Sequence, residues 1–490
     1  MKRICFLMWM VLCFAGMSQA QQTTFSGKIE SPTGTFAQLT FITNYLTGES
    51  QTVKAELDEN GAFEMKFDLS AAVPATFSDG NEITAVYLQP GADIRMSLNT
   101  EQFDETIRYE GEGAAPNNYL AAFFLKFEDE PVQIEAQQKI KELAPADYLQ
   151  FAQEERTQKE QFLAQWQQEH ALPEDFVTHQ QQEYLYTYAN ELLQYPRYHA
   201  YLNRAPDAEQ VELPDLPEDY YDFITEAPVS NEAALASEAY RDYIVQLVGY
   251  KYGQLFEGMG AKDYSNWFQE QLALGKILLQ GQSREYFVGK MLREAMRYDK
   301  PARVAREYEE FVAQHPAHKA VLEPIYEKVL ALSEGNPAPD FKLVDLEGNE
   351  VALSDFRGKV VYLDFWASWC GPCIAEIPHA KALKAHYEGN EEVVFLYVSV
   401  DTDEQAWRNI IEKRKLNNGV HLYAGGWEMA QEKYNVQGIP SYFLINRDGS
   451  IAAYQAPRPS SGQTLIDLID KALQQQVSST SGTDGEEGGQ

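Results

Sequence analysis

Apolar and polar residues alternate in short runs from Gln21 to about Gly113, as in "TFSGKIE", "TFAQLTFITNYL" and "AFEMKFDL". The runs are rich in Phe, Thr, Val and Ile and are broken by "ENG", "SDGNE" and "QPGAD". Alternation with a period of two, punctuated by turn residues, predicts half-buried strands. About seven of them in residues 21–113 predict an all-β sandwich. From 114 to 332 the spacing of apolar positions changes to three and four residues, as in "NNYLAAFFLKF", "ADYLQFAQEERTQKEQFLAQW" and "EAYRDYIVQLVGYKYGQLF". That period predicts an all-α domain, and the stretch shows no fixed repeat of the kind that builds a solenoid. Its Tyr-rich segment (Tyr184, Tyr186, Tyr188, Tyr195, Tyr198, Tyr201) reads as the edge of a packed core with hydroxyls directed to solvent. "SEGNPAPDF" (Ser333–Phe341) then marks a boundary. Two largely apolar runs follow, "KVVYLDFWA" and "VVFLYVSVD", with helical patterns between and after them and a hairpin pattern turning at Asp448 and Gly449. Strand–helix–strand alternation over residues 333–475 predicts an α/β unit with a parallel core. The chain is thus expected to be multidomain: an N-terminal all-β sandwich, a central all-α domain and a C-terminal α/β domain. The tail 476–490 carries few apolar residues and reads as disordered.

The first 20 residues read as an address. Lys2 and Arg3 precede an apolar run of 14 residues, Ile4–Met17, and "SQA" follows. That run is shorter than the roughly 20 residues of a membrane span, so a cleaved secretory signal is expected, with periplasmic export and no membrane span after cleavage. Acidic residues outnumber basic ones 74 to 40, for a formal charge of −34. Such a surface repels phosphate backbones, which sets nucleic acid aside as a partner. Removal of the leader also takes Cys5 and Cys13, leaving Cys370 and Cys373 as the only cysteines of the exported chain. A bridge over so short a loop constrains the unfolded chain little, so the pair is a poor structural staple. Zinc wants four ligands; His379 lies six residues past Cys373, off its helical face, and His386 and His421 lack ligand spacing, so no metal is expected.

The pair sits in "DFWASWCGPCIAEIP" (Asp364–Pro378), at the junction of an apolar strand pattern and a helical one. Disulfide exchange needs a thiolate, and the first turn of a helix lowers a thiol's pKa through its free amides and dipole. Cys370 at that position is the expected nucleophile, and Cys373, one turn in, the thiol that resolves the mixed disulfide. Gly371 and Pro372 shape the loop between them, and proline in a first helical turn costs no hydrogen bond. Pro378 is expected to kink the helix. Glu376, three residues past Cys373, shares its helix face.

Together with "GIPSYFLINRDG" some 65 residues later, "YLDFWASWCGPC" resembles the thioredoxin fold, and "PAPDFKLVDLEGNEVALSDFRGK" resembles the exported TlpA/ResA-type thiol-disulfide oxidoreductases, over about residues 336–473. The two preceding segments resemble extension domains found on such proteins in Bacteroidetes-type bacteria. The resemblance implies an active-site role for Glu376 and a buried aspartate at Asp364, whose raised pKa lets it accept the resolving thiol's proton. It also implies a cis proline at Pro440 packed against the cysteines, with Ile439 presenting its backbone to substrate. Trp369 is expected at the substrate rim. No cofactor is called for. The expected activity is reduction of protein disulfides, in cytochrome c maturation or envelope redox homeostasis. The partners would be disulfide-containing proteins and an envelope electron donor. The alternative is an envelope binding or assembly module, in which the front domains dock a partner and the thioredoxin domain is secondary.

Overall fold

Along the strand Ala62–Leu69, Phe63, Met65, Phe67 and Leu69 are buried while Glu64, Lys66 and Asp68 face water. Pairing strands that alternate this way gives one oily face per sheet, and two such faces must close on each other. In the computed structural model, which describes residues 20–205, 212–256, 267–298, 301–416 and 419–475, they do. The leader expected over residues 1–20 (Ala20 apart) and the tail 476–490 lie outside the described residues. One sheet has the order β4 (Ala62–Leu69), β1 (Gln21–Glu30), β7 (Asp93–Asn99), β8 (Arg108–Gly111). The other runs β3 (Glu49–Glu56), β2 (Phe36–Asn44), β5 (Val73–Ser78), β6 (Ile83–Leu88). A single core joins them: the ring of Phe77 from the second sheet lies 5.9 Å from Phe25 and 5.7 Å from Phe63 of the first.

The helical region contains the expected long elements, among them Ala114–Phe127, Pro145–Glu169, Glu174–Leu202 and Glu238–Phe256. It also contains a helix that the apolar spacing did not announce, Glu130–Glu142, every side chain of which is exposed or half-buried. Tyr184, Tyr186, Tyr188 and Tyr195 are buried, while Tyr198 and Tyr201 are exposed. The buried hydroxyls do not reach water as expected. Tyr186 donates to the Pro228 carbonyl at 3.0 Å and Tyr195 to the Leu143 carbonyl at 2.7 Å, because a phenol inside a core must be paired there.

The chain divides into two compact units, residues 1–288 and 289–490. This differs from the composition break at residue 333: the helices Pro301–Gln314 and Lys319–Ala331 group with the C-terminal unit. Contacts within that unit account for it. Leu332 belongs to the C-terminal core, and Asn435 donates to the Met296 carbonyl at 3.3 Å.

The C-terminal sheet has seven strands in the order β10 (Glu350–Ala352), β9 (Lys342–Val344), β13 (Val420–Tyr423), β12 (Val393–Ser399), β11 (Val360–Trp366), β14 (Ser441–Ile445), β15 (Ile451–Ala453). β11, β12 and β13 are parallel, β14 pairs antiparallel with β11, and β15 pairs antiparallel with β14 at the sheet edge. Every residue of β11 is buried, as expected for a strand covered on both faces. The expected turns are present: Gly348 and Gly449 take positive φ values of 84° and 80°, a region glycine enters without a Cβ penalty.

Candidate active site

β11 ends at Trp366, and four residues later Cys370 caps the helix Gly371–His386. The Cys370 sulfur accepts the Cys373 amide at 3.2 Å, so the sulfur occupies the place where a helix start holds partial positive charge. The two cysteines are joined by a disulfide with Cα atoms 5.3 Å apart. The helix runs on to His386 past Pro378, so the expected kink does not interrupt it. Cys373 was expected to sit deeper than Cys370. In this oxidised form their exposures are 5% and 4%, so the two are equally buried.

Their surroundings differ more than their depth. The Cys370 sulfur lies 3.8 Å from the Ile439 carbonyl oxygen, and the Ile439–Pro440 peptide is cis. Gly371 and Pro372 are exposed beside it. A Cβ built on Gly371 meets nothing within 4 Å among the described residues, so this stretch is open to an incoming chain. Trp369 is 62% exposed, its ring 6.4 Å from that of Trp427, while Trp366 is buried. One side of Cys370 is therefore a shallow rim with a backbone acceptor.

Cys373 faces inward. It borders a small cavity of about 20 Å³ that is also lined by Asp364, Trp366, Glu376, Tyr397 and His421. Burial pushes the Asp364 carboxyl well above the ordinary carboxylate range, and the charge of Glu376 adds to this. Asp364 Oδ1 has no hydrogen-bond partner among the described residues. Glu376 is buried, not solvated, and its carboxylate is fully engaged. Oε2 accepts the Ser460 amide and Oε1 the Ser460 hydroxyl, both at 2.8 Å, and the Arg458 guanidinium stands 3.9 Å away.

Four contributors escaped the sequence reading. Ser460 and Arg458 arrive on the loop after β15, where "PRPSSG" carries only a turn signal. Asp401, just past β12, accepts the Ser368 amide at 2.9 Å and the Ser368 hydroxyl at 2.7 Å, pinning the turn that delivers Cys370. The Ser399 hydroxyl also donates to it at 2.6 Å. His421 was set aside as lacking ligand spacing, yet it lines the cavity under Cys373. No group of three or more metal-ligating side chains occurs among the described residues.

Comparison with known proteins places this arrangement. Residues 333–467 match the Redoxin family. ResA, a thiol-disulfide oxidoreductase of Bacillus thuringiensis subsp. konkukian, is 35% identical over 117 residues, which are 24% of this chain and 66% of ResA. ResA of Bacillus subtilis is 34% identical over 131 residues, covering 26% of this chain and 72% of that protein. The thioredoxin domain of a thiol-disulfide oxidoreductase from Bacteroides vulgatus is 31% identical, with 29% of this chain and 97% of that one covered and a TM-score of 0.26. The chain spans just under two thirds of the first of these relatives, and the Redoxin match lies in its C-terminal part. Through that domain, the chain belongs to the ResA-like thiol-disulfide oxidoreductases of the thioredoxin superfamily.

Proposed function

We propose that this protein is an exported reductase of protein disulfides, with Cys370 as attacking and Cys373 as resolving thiol. The observation that carries the reading is the asymmetry around the pair. Cys370 has a helix start on one side and an open rim with the Ile439 carbonyl on the other. Cys373 has a buried carboxyl as its neighbour. An extended substrate segment lying along Ile439 and Trp369 brings its disulfide to the Cys370 thiolate, which forms the mixed disulfide and releases one substrate thiolate. Asp364 then takes the proton of Cys373, whose thiolate attacks the Cys370 sulfur and frees the second substrate thiol. Two electrons pass to the substrate, and an envelope donor restores the dithiol. Gly371 and Pro372 between the cysteines are the choices made by reducing members of the superfamily. Cytochrome c maturation and envelope redox homeostasis are the settings this chemistry serves. No helix among the described residues is long and apolar enough to cross a membrane.

Trapping tests the assignment. With Cys373→Ser, mixed disulfides should accumulate through Cys370 and disappear when Cys370→Ser is added. Adducts that persist in the double variant, or none at all with Cys373→Ser alone, would remove Cys370 from the role.

A further inference from the structure

The strand register sets a row of polar groups under the active-site helix. Asp364 on β11 pairs with Tyr397 on β12, which pairs with His421 on β13. Residues paired in register point to the same face of a sheet, so Asp364 and His421 lie on one face, two strand spacings (about 10 Å) apart at the backbone. Both line the cavity that Cys373 closes from above, together with Glu376, Ile377 and Ala380 of the same helix and Leu416. His421 is 4% exposed, and its ring stacks on Tyr397 with centroids 4.8 Å apart. Neither ring nitrogen of His421 has a hydrogen-bond partner among the described residues, nor do Asp364 Oδ1 and Trp366 Nε1 nearby. The Leu416 backbone is near enough to form a long hydrogen bond to the ring, outside the geometry of the bonds described above.

Four polar atoms without a partner among the described residues around one cavity are a demand for one, since leaving a buried polar group unpaired is destabilising. A cavity holds a water once it offers roughly 10–15 Å³ of free volume and two or more polar contacts. This one offers about 20 Å³. Burial holds the imidazole neutral, its pKa lowered to about 4. A neutral imidazole presents one donor and one acceptor, which is what a bridging water needs.

We propose that a water molecule in this cavity is held between His421 and Asp364, and that His421 is a positioning residue for proton removal from Cys373. The water donates to the Asp364 carboxylate, favouring its charged form, and relays the proton from the Cys373 sulfur. The S–H bond breaks, the proton ends on Asp364, and the Cys373 electron pair forms the bond to Cys370 as the substrate sulfur leaves. The other titratable groups facing the cavity are Glu376, already paired with Ser460 and near Arg458, and Tyr397. This inference rests on the roles proposed above for the two cysteines.

The test uses reduced full-length protein and 5,5′-dithiobis(2-nitrobenzoate) in stopped flow across pH 5–9. Cys370 attack releases the first thionitrobenzoate, and resolution by Cys373 releases the second. In His421→Leu the second phase should slow about tenfold at pH 7 and its midpoint should move about one unit alkaline, the loss of one hydrogen bond to a charged group. The first phase should be unchanged. His421→Gln, which keeps a donor and an acceptor, should recover most of the rate. A second phase in His421→Leu that overlays the wild type overturns the proposal, as does equal damage in His421→Gln. Cross-relaxation between a long-lived water and the His421 ring in the wild type tests it without any variant: its presence supports the bridge, and a dry ring overturns it. A wild type with no second phase would instead sink the roles assigned to Cys370 and Cys373.

Discussion

Replacing Asp364 with asparagine should make the protein more stable and less able to resolve mixed disulfides. The side chain is buried, and desolvation followed by the charge of Glu376 raises its pKa well above the ordinary value. Because the folded pKa is the raised one, the native state binds this proton more tightly than the unfolded chain does. The resulting stability is complete below the unfolded value near 3.9 and is lost as pH climbs towards the folded value. Within that window one proton separates the two states, so stability falls by about 1.4 kcal/mol per pH unit. Asp364→Asn removes that slope. The measurement is urea unfolding of the oxidised full-length protein, whose disulfide keeps Cys370 and Cys373 from titrating. The transition to follow is the one that reduction of the disulfide shifts. Other titrating groups cancel in the difference between variant and wild type. That difference should grow by about 1.4 kcal/mol from pH 5 to pH 6. For an m-value of about 1–3 kcal/mol/M this is a midpoint change of roughly 0.5–1.4 M urea. A difference that stays flat from pH 5 to pH 7 would show that burial does not raise the Asp364 pKa and would remove the ground for making it the proton acceptor.

Other contacts give further expectations. Asp401→Ala deprives two serine hydroxyls and the Ser368 amide of their acceptor. It should cost about 2–4 kcal/mol and slow Cys370 attack, read as the alkylation rate of the reduced protein, while Asp401→Asn should restore part of both. Glu376→Ala leaves the Ser460 amide and hydroxyl unpaired and should cost about 1–3 kcal/mol in denaturant unfolding, with Glu376→Gln closer to wild type. Gly371→Ala meets no neighbour, so its stability should stay within about 0.5 kcal/mol of wild type. Any loss of activity in that variant then reports on substrate approach.

The residues legible in the sequence are those whose chemistry is local. Cys370, Gly371, Pro372, Cys373 and Glu376 sit on one strand-to-helix junction, where adjacency, capping and helical spacing speak directly. Ile439 and Pro440 were legible through the family resemblance alone. Asp401, Ser460 and His421 were not legible, because each reaches the site through sheet register or a returning loop. A histidine flanked by Val420 and Leu422 reads as a core residue until the parallel pairing of β12 with β13 puts it level with Tyr397. The helix Glu130–Glu142 escaped for the converse reason: with no face committed to a core, it has little apolar period to detect. Composition placed a boundary at the Pro-rich linker, but contact divides the chain within the preceding helices, and linker composition says nothing about which side a helix packs on.

The direction of electron flow is the central claim, and the reduction potential of the Cys370–Cys373 couple tests it most directly. Equilibration of the full-length protein with glutathione or dithiothreitol buffers, read by thiol labelling, gives the value. A potential near about −270 mV, in the range of thioredoxin, is what a reductase requires. A value close to about −120 mV, that of a strong oxidant, would contradict it.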